Sequence, residues 1–191
     1  MGKRINGRTR TAYHEAGHVV LSSAISDRPR YVTIRPQGNT LGRSRALGSP
    51  RPTSRVQVHL AGFAAEHLLT DRRPRQFDRE VGFAIIARQY PSVGEAFEGR
   101  AECDGCRAVD EVLKMSILAT PDDIRMEIDR FYKASLRSLA AVWSSVDAVA
   151  AALLDQEELD RHGVDVAIGD TDIYQPVFAV QHDFGLLPER P

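Results

Sequence analysis

Apolar residues recur at helical spacing through most of the chain. Between residues 9 and 25, Ala12, Ala16, Val19 and Val20 fall on one side of a 3.6-residue turn and predict a first helix, with Thr9 or Thr11 as its cap. Arg28-Pro29-Arg30 ends it. Residues 31–35 change period. Val32 and Ile34 lie on one face, and Tyr31, Thr33 and Arg35 on the other, as in a strand. Pro36-Gln37-Gly38-Asn39 is turn chemistry, and residues 40–47 return as a second strand of a small hairpin.

The helical period resumes after the loop at 48–52. Val56, Leu60, Phe63, Ala64 and Leu68 form a stripe that predicts a second helix from Thr53 to about Leu69. A third runs from near Asp78 to Tyr90, where Pro91 follows, and residues 92–101 read as a loop. A fourth covers 102–119. Thr120-Pro121-Asp122-Asp123 starts a fifth, which carries Ile124, Ile128, Phe131, Leu136, Leu139 and Trp143. Ser144 or Ser145 begins another, to Leu154, and Gly163 is a stop with His162 at the helix end. The last twenty or so residues hold no clear period. The expected fold is mainly α, a helical domain with one β-hairpin after its first helix. Residues 1–169 form the domain and residues 170–191 a C-terminal tail.

Composition narrows the function classes. The 191 residues suffice for one domain with a real core. Lys and Arg number 25 against 26 Asp and Glu, so overall charge points to neither nucleic acid nor a membrane surface. No apolar run approaches the roughly 20 residues that span a bilayer, and the basic N-terminus leads into no signal-like stretch. No direct membrane insertion and a cytoplasmic location are expected. Cys103 and Cys106 are the only cysteines. They are too few for a four-cysteine zinc site, and are expected as two free thiols near a helix start.

The strongest chemical signal lies in the first helix. His14-Glu15-Ala16-Gly17-His18 fits the His-Glu-x-x-His pattern of zinc peptidases. Residues four apart share a helix face, so His14 and His18 aim two imidazoles at one spot. Glu15 can reach a water on the ion without binding the ion itself. Zinc lowers the pKa of such a water and polarises the scissile carbonyl, while a carboxylate carries its proton to the leaving nitrogen. Gly17 costs a helix interior about 1 kcal/mol relative to Ala, and it lets another element pack close to the ligand turn. Hydrolytic zinc takes three protein ligands and one open position.

Three segments in order, TAYHEAGHVV (11–20), VTIRPQGNTLG (32–42) and LAGFAAEHLL (60–69), resemble the peptidase domain of FtsH, the membrane-anchored AAA+ zinc protease family. FDREVGFAIIARQ (77–89) resembles the family segment in which an aspartate opens a helix and completes the zinc site. Residues 123–160 resemble its C-terminal helices. The resemblance covers roughly residues 10–165. It implies a zinc metalloendopeptidase with Zn2+ held by His14, His18 and Asp78 and with Glu15 as general base. On the residues alone, Asp78 reads first as a helix N-cap, and only the resemblance makes it a ligand, with Glu80 and the remoter Asp71 as competitors for the third position. The resemblance also implies peptide added to an open edge of the 31–35 strand.

The departures shape the remaining expectations. No Gly-rich phosphate loop ending in Gly-Lys-Ser/Thr occurs, and neither the ATPase module nor the membrane anchor of the family is expected here. Substrates are then flexible or unfolded chains, with a separate ATPase partner or homo-oligomerisation as further expectations. Residues 91–110, with their CDGC, match nothing in the family. Glu66 is either a plain surface carboxylate or a support for a ligand histidine. His59 and His67 are expected as ordinary histidines. The rivals are a catalytically inactive FtsH-like binding or regulatory protein, a zinc hydrolase of non-peptide amides, and the peptidase subunit of a machine whose ATPase is another chain.

Overall fold

The computed structural model describes residues 5–25, 29–36, 42–46, 51–90, 103–115 and 120–186. The expected turn residues 37–39 and loop 92–101 lie outside them, as do 116–119 at the end of the fourth helix. The fold is mainly α, as the periodicity predicts. Its helices are α1 (Gly7–Ile25), α2 (Pro52–Thr70), α3 (Arg75–Gln89), α4 (Asp104–Met115), α5 (Pro121–Ala141), α6 (Trp143–Gln156), α7 (Arg161–Ile168) and α8 (Tyr174–Asp183). Its strands are β1 (Pro29–Thr33), β2 (Arg43–Ala46) and β3 (Glu158–Asp160).

Helices α1 and α2 carry the centre of the molecule. Asn6, rather than Thr9 or Thr11, caps α1: its Oδ1 accepts from the Thr9 N–H at 2.7 Å. The two helices touch at Gly17, where a Cβ would stand 2.6 Å from the Ala61 carbonyl oxygen and 2.7 Å from Ala65 Cβ. Only glycine permits this approach, which brings the ligand turn of α1 against α2. Ala12, Ala16, Val19 and Val20 are buried there with Val56, Leu60, Phe63 and Ala64. Phe63, Phe77 and Phe131 are fully buried, each worth about 1.5–3 kcal/mol in transfer from water.

Helix α5 begins with a capping box, in which Thr120 and Asp123 satisfy each other's backbone N–H groups. The chain then turns by 82° into α6, and Val142, buried at the bend, belongs to the core. No single described helix is long and apolar enough to cross a membrane.

Three expectations need correction. The sheet has three strands in the order β2-β1-β3, all antiparallel, with Val32 opposite Ser44 on one side and Leu159 on the other. Strand β1 is therefore central, and the open edge expected at 31–35 does not exist. Thr33, on the face opposite Val32 and Ile34, is fully buried as well. Its hydroxyl donates to the Glu157 carbonyl. Gly163 does not stop a helix; it lies inside α7, where its N–H donates to the capping Asp160 side chain, and Gly169, at φ +63°, ends the helix instead. His162 thus falls in a first turn.

The third correction concerns the tail. Residues 170–186 carry α8, whose Ile173 and Val177 are buried in the core. Gln57 and Gln181 exchange amide hydrogen bonds at 2.8 and 2.7 Å, and Gln181 also donates to the Ser138 hydroxyl. A buried amide must find such partners, so these bonds fix how α8 docks.

Candidate metal centre

His14 and His18 project from successive turns of α1. Their rings stand edge to face with centroids 4.8 Å apart. Each ring is oriented from behind. His14 Nδ1 lies 2.8 Å from Glu66 Oε1, and His18 Nδ1 lies 2.6 Å from the Val58 carbonyl oxygen. Both partners are acceptors, so both Nδ1 atoms carry the proton. In the neutral rings both Nε2 atoms then present lone pairs to the same space.

That space holds a third acceptor. Asp104 Oδ2, from the first turn of α4, is 3.1 Å from His14 Nε2 and 3.3 Å from His18 Nε2. The three donor atoms lie within 4.8 Å of one another. Three lone-pair groups facing one point repel unless a proton or a cation sits among them. Around tetrahedral zinc, with bonds of about 2.0–2.2 Å, ligand atoms are spaced by roughly 3.3–3.5 Å. The two distances to Asp104 fall at or just below that spacing, and two imidazoles with one carboxylate are a donor set zinc accepts. The residues fit the ion.

The electrostatics agree. Burial disfavours charge on both histidines, yet the carboxylates of Asp104 and Glu66 hold His14 well above the ordinary histidine range, and Asp104 raises His18. Burial likewise opposes ionisation of Asp104, but His18 and His14 keep its carboxyl well below the usual range. The pocket stabilises one or more positive charges, whether these are protons or a metal ion.

Backbone glycines make room for the site. A Cβ on Gly62 would clash with the His14 ring, 2.6 Å from its Cδ2. Phe63 closes the other side of that ring edge-on at 5.4 Å. A Cβ on Gly42, at the entrance to β2, would sit 2.7 Å from Glu15 Oε1. Glu15 is only 6% exposed, next to the histidine pair, and the start of β2 lies over its carboxylate.

Asp78 is not brought to this centre. Helix α3 starts at Arg75, before Asp78, with Pro74 as its N-cap. Asp78 is therefore neither cap nor neighbour of the histidines. Its side chain is 61% exposed and pairs with Arg73 at 2.9 Å. Glu80 does not join them either, because its Oε2 accepts from the Gly105 N–H at 3.1 Å. Asp71 is an exposed αL residue at the end of α2. Glu66 takes the supporting role, held in turn by Arg10 at 3.7 Å. His67 stacks on Tyr132 and bonds its hydroxyl. His59 is pushed down to about 4 by burial, despite the opposing field of Asp104.

Asp104 is the residue that sequence reasoning missed, although it carries the signal used for Asp78: an aspartate at a helix start. It lies within CDGC, where the structure also corrects the expectation of free thiols. Cys103 and Cys106 form a disulfide.

No protein-family model matches this chain. Over 176 residues it is 28% identical to the ATP-dependent zinc metalloprotease FtsH 3 of Conexibacter woesei. The match covers 81% of this chain and 23% of that protein, so the chain spans less than a quarter of its relative's length. With His14, His18 and Asp104 grouped so that they could hold a metal ion, the chain is similar to a zinc metalloprotease of the FtsH kind.

Proposed function

We propose that this chain is a zinc-dependent metalloendopeptidase domain acting on unfolded or flexible polypeptide. The observation that carries the proposal is the convergence of His14 Nε2, His18 Nε2 and Asp104 Oδ2, lone-pair donors to a metal once the rings are neutral, beside the buried carboxylate of Glu15. Zinc held by these three would supply an acidified water and a Lewis acid for the scissile carbonyl. Glu15 takes the proton from the attacking water and delivers it to the leaving nitrogen. Glu66 and the Val58 carbonyl keep both imidazoles turned with Nε2 inward.

Among the described residues β2 pairs with β1 alone and forms the outer strand. Gly42, just before its first residue, lies over Glu15. An extended peptide adding to that edge gains main-chain hydrogen bonds with little demand on sequence, and one of its peptide bonds lies near Glu15. The relative is described as ATP-dependent. An ATPase acting as a separate chain to deliver unfolded substrate belongs to the same proposal.

The test is zinc content followed by casein cleavage with and without a chelator. Glu15→Gln should keep the zinc and lower cleavage by roughly 10²–10⁴-fold. Full cleavage by Glu15→Gln removes Glu15 from the mechanism. A zinc-loaded wild type that cleaves no peptide leaves a metal-binding protein of another function.

A further inference from the structure

Asp104 is the one candidate ligand that does not come from α1, and it lies between two bonded cysteines. Cys103 precedes α4, and Cys106 sits in its first turn. The Cys106 N–H donates to Cys103 Sγ at 3.2 Å, so the same sulfur also caps the helix. The adjacent Gly105 packs where a Cβ would stand 2.7 Å from Glu80 Cβ. Asp104 is thus enclosed in a four-residue covalent ring, with Glu80 holding the helix from the other side.

We propose that the Cys103–Cys106 bond is a redox-sensitive clamp on Asp104, closed when oxidised and weakening metal binding when reduced by a dithiol. The inference rests on the metal-site reading above. A ring of four residues removes little entropy from the unfolded chain, so the bond contributes little to overall stability. Its effect is local. It pins the first turn of a helix, which otherwise lacks backbone partners and frays. A ligand on a fraying turn binds metal more weakly, because ordering that turn must accompany binding.

Access is one-sided. Cys106 is 3% exposed, whereas Cys103 is only half-buried. A thiolate of the dithiol attacks Cys103 Sγ and forms a mixed disulfide. The Cys106 sulfur leaves as a thiolate and takes a proton from solvent. The second thiol of the reductant then attacks its own sulfur and releases Cys103 as a thiol. The protein gains two electrons and two protons, and the dithiol becomes a disulfide.

The test measures zinc affinity of the whole chain by competition with a chromogenic chelator. The protein is compared oxidised and after reduction by a phosphine, with the phosphine removed under anaerobic conditions. Reduction should weaken zinc binding about tenfold or more. The variant Cys103→Ser/Cys106→Ser should bind as weakly as the reduced wild type, regardless of reductant. Its metal-free unfolding temperature should stay within a few degrees of wild type, which separates a local effect from misfolding. Equal, tight binding in both redox states overturns the clamp and leaves the metal site standing. A second zinc taken up only after reduction counts against it too, since the thiols are then a site of their own. Zinc bound in neither state removes the site and the clamp together.

Discussion

Glu66 Oε1 accepts a hydrogen bond from His14 Nδ1 at 2.8 Å, across 52 residues of sequence, and thereby decides which ring nitrogen faces Asp104. Glu66→Gln keeps an oxygen acceptor, whereas Glu66→Leu keeps only bulk. Zinc affinity should fall about 10–100-fold in Glu66→Leu and less in Glu66→Gln. Competition titration measures both. Equal affinity in all three proteins would show that Glu66 does not orient the ring.

Gly62 leaves the space that the His14 imidazole fills. Gly62→Ala raises helix propensity by about 1 kcal/mol but puts a methyl group into the ring. His14 must swing away, so zinc binding should be lost. The stability of the metal-free protein should fall by about 1–3 kcal/mol, as overpacked cores do. Urea unfolding and metal analysis on the same preparation check both. Unchanged zinc content would mean that His14 has room to spare.

His59 gives a pH dependence of its own. Burial depresses it in the folded protein to about 4, against 6.5 when unfolded. Its neutral form is therefore the folded form, and its contribution is complete above the unfolded value. As pH falls below 6.5 the unfolded chain takes up a proton that the folded chain refuses, and stability drains away until pH reaches about 4. Between pH 7.5 and 4.5 the loss from this group should be about 2–3 kcal/mol. Subtracting the urea-unfolding profile of His59→Leu from that of wild type isolates it. A flat difference across this range would show that His59 protonates freely in the fold.

The metal site implies proton release. In the metal-free protein burial opposes charge on both rings, yet Asp104 and Glu66 hold His14 well above the ordinary histidine value and Asp104 raises His18. Near neutral pH the rings hold protons that zinc must expel, so affinity should weaken as pH falls. Calorimetry in buffers of different ionisation enthalpy should show net proton release on zinc binding near pH 7. No release would mean that the ion binds elsewhere.

What the sequence made legible was local. His14 and His18 are four residues apart, so helical spacing alone aims them together. The α2 stripe from Val56 to Ala64 is buried as its period required. Strand β1 was legible as a strand, but not as a central one, because β3 pairs with it from more than 120 residues away. The third ligand failed for the same reason. Asp78 and Asp104 both lie in first turns, and no local pattern tells which first turn packs against α1. That choice is made by the α3–α4 contact at Gly105 and Glu80 and by the disulfide that follows. Residues 91–110, read as matching nothing in the family, contain Asp104, which the fold brings to the histidine pair. Residues 170–186 looked aperiodic because α8 is short and its buried stripe, Ile173, Val177 and Gln181, ends on an amide that needs Gln57 as partner.

The central claim is that His14, His18 and Asp104 together hold one divalent ion. Stoichiometric zinc analysis of wild type, Asp104→Asn and Asp78→Asn, each checked for folding by circular dichroism, tests it most directly. Wild type and Asp78→Asn should retain one zinc per chain through dialysis, and Asp104→Asn should lose it. Retention by Asp104→Asn with loss from Asp78→Asn would contradict the account.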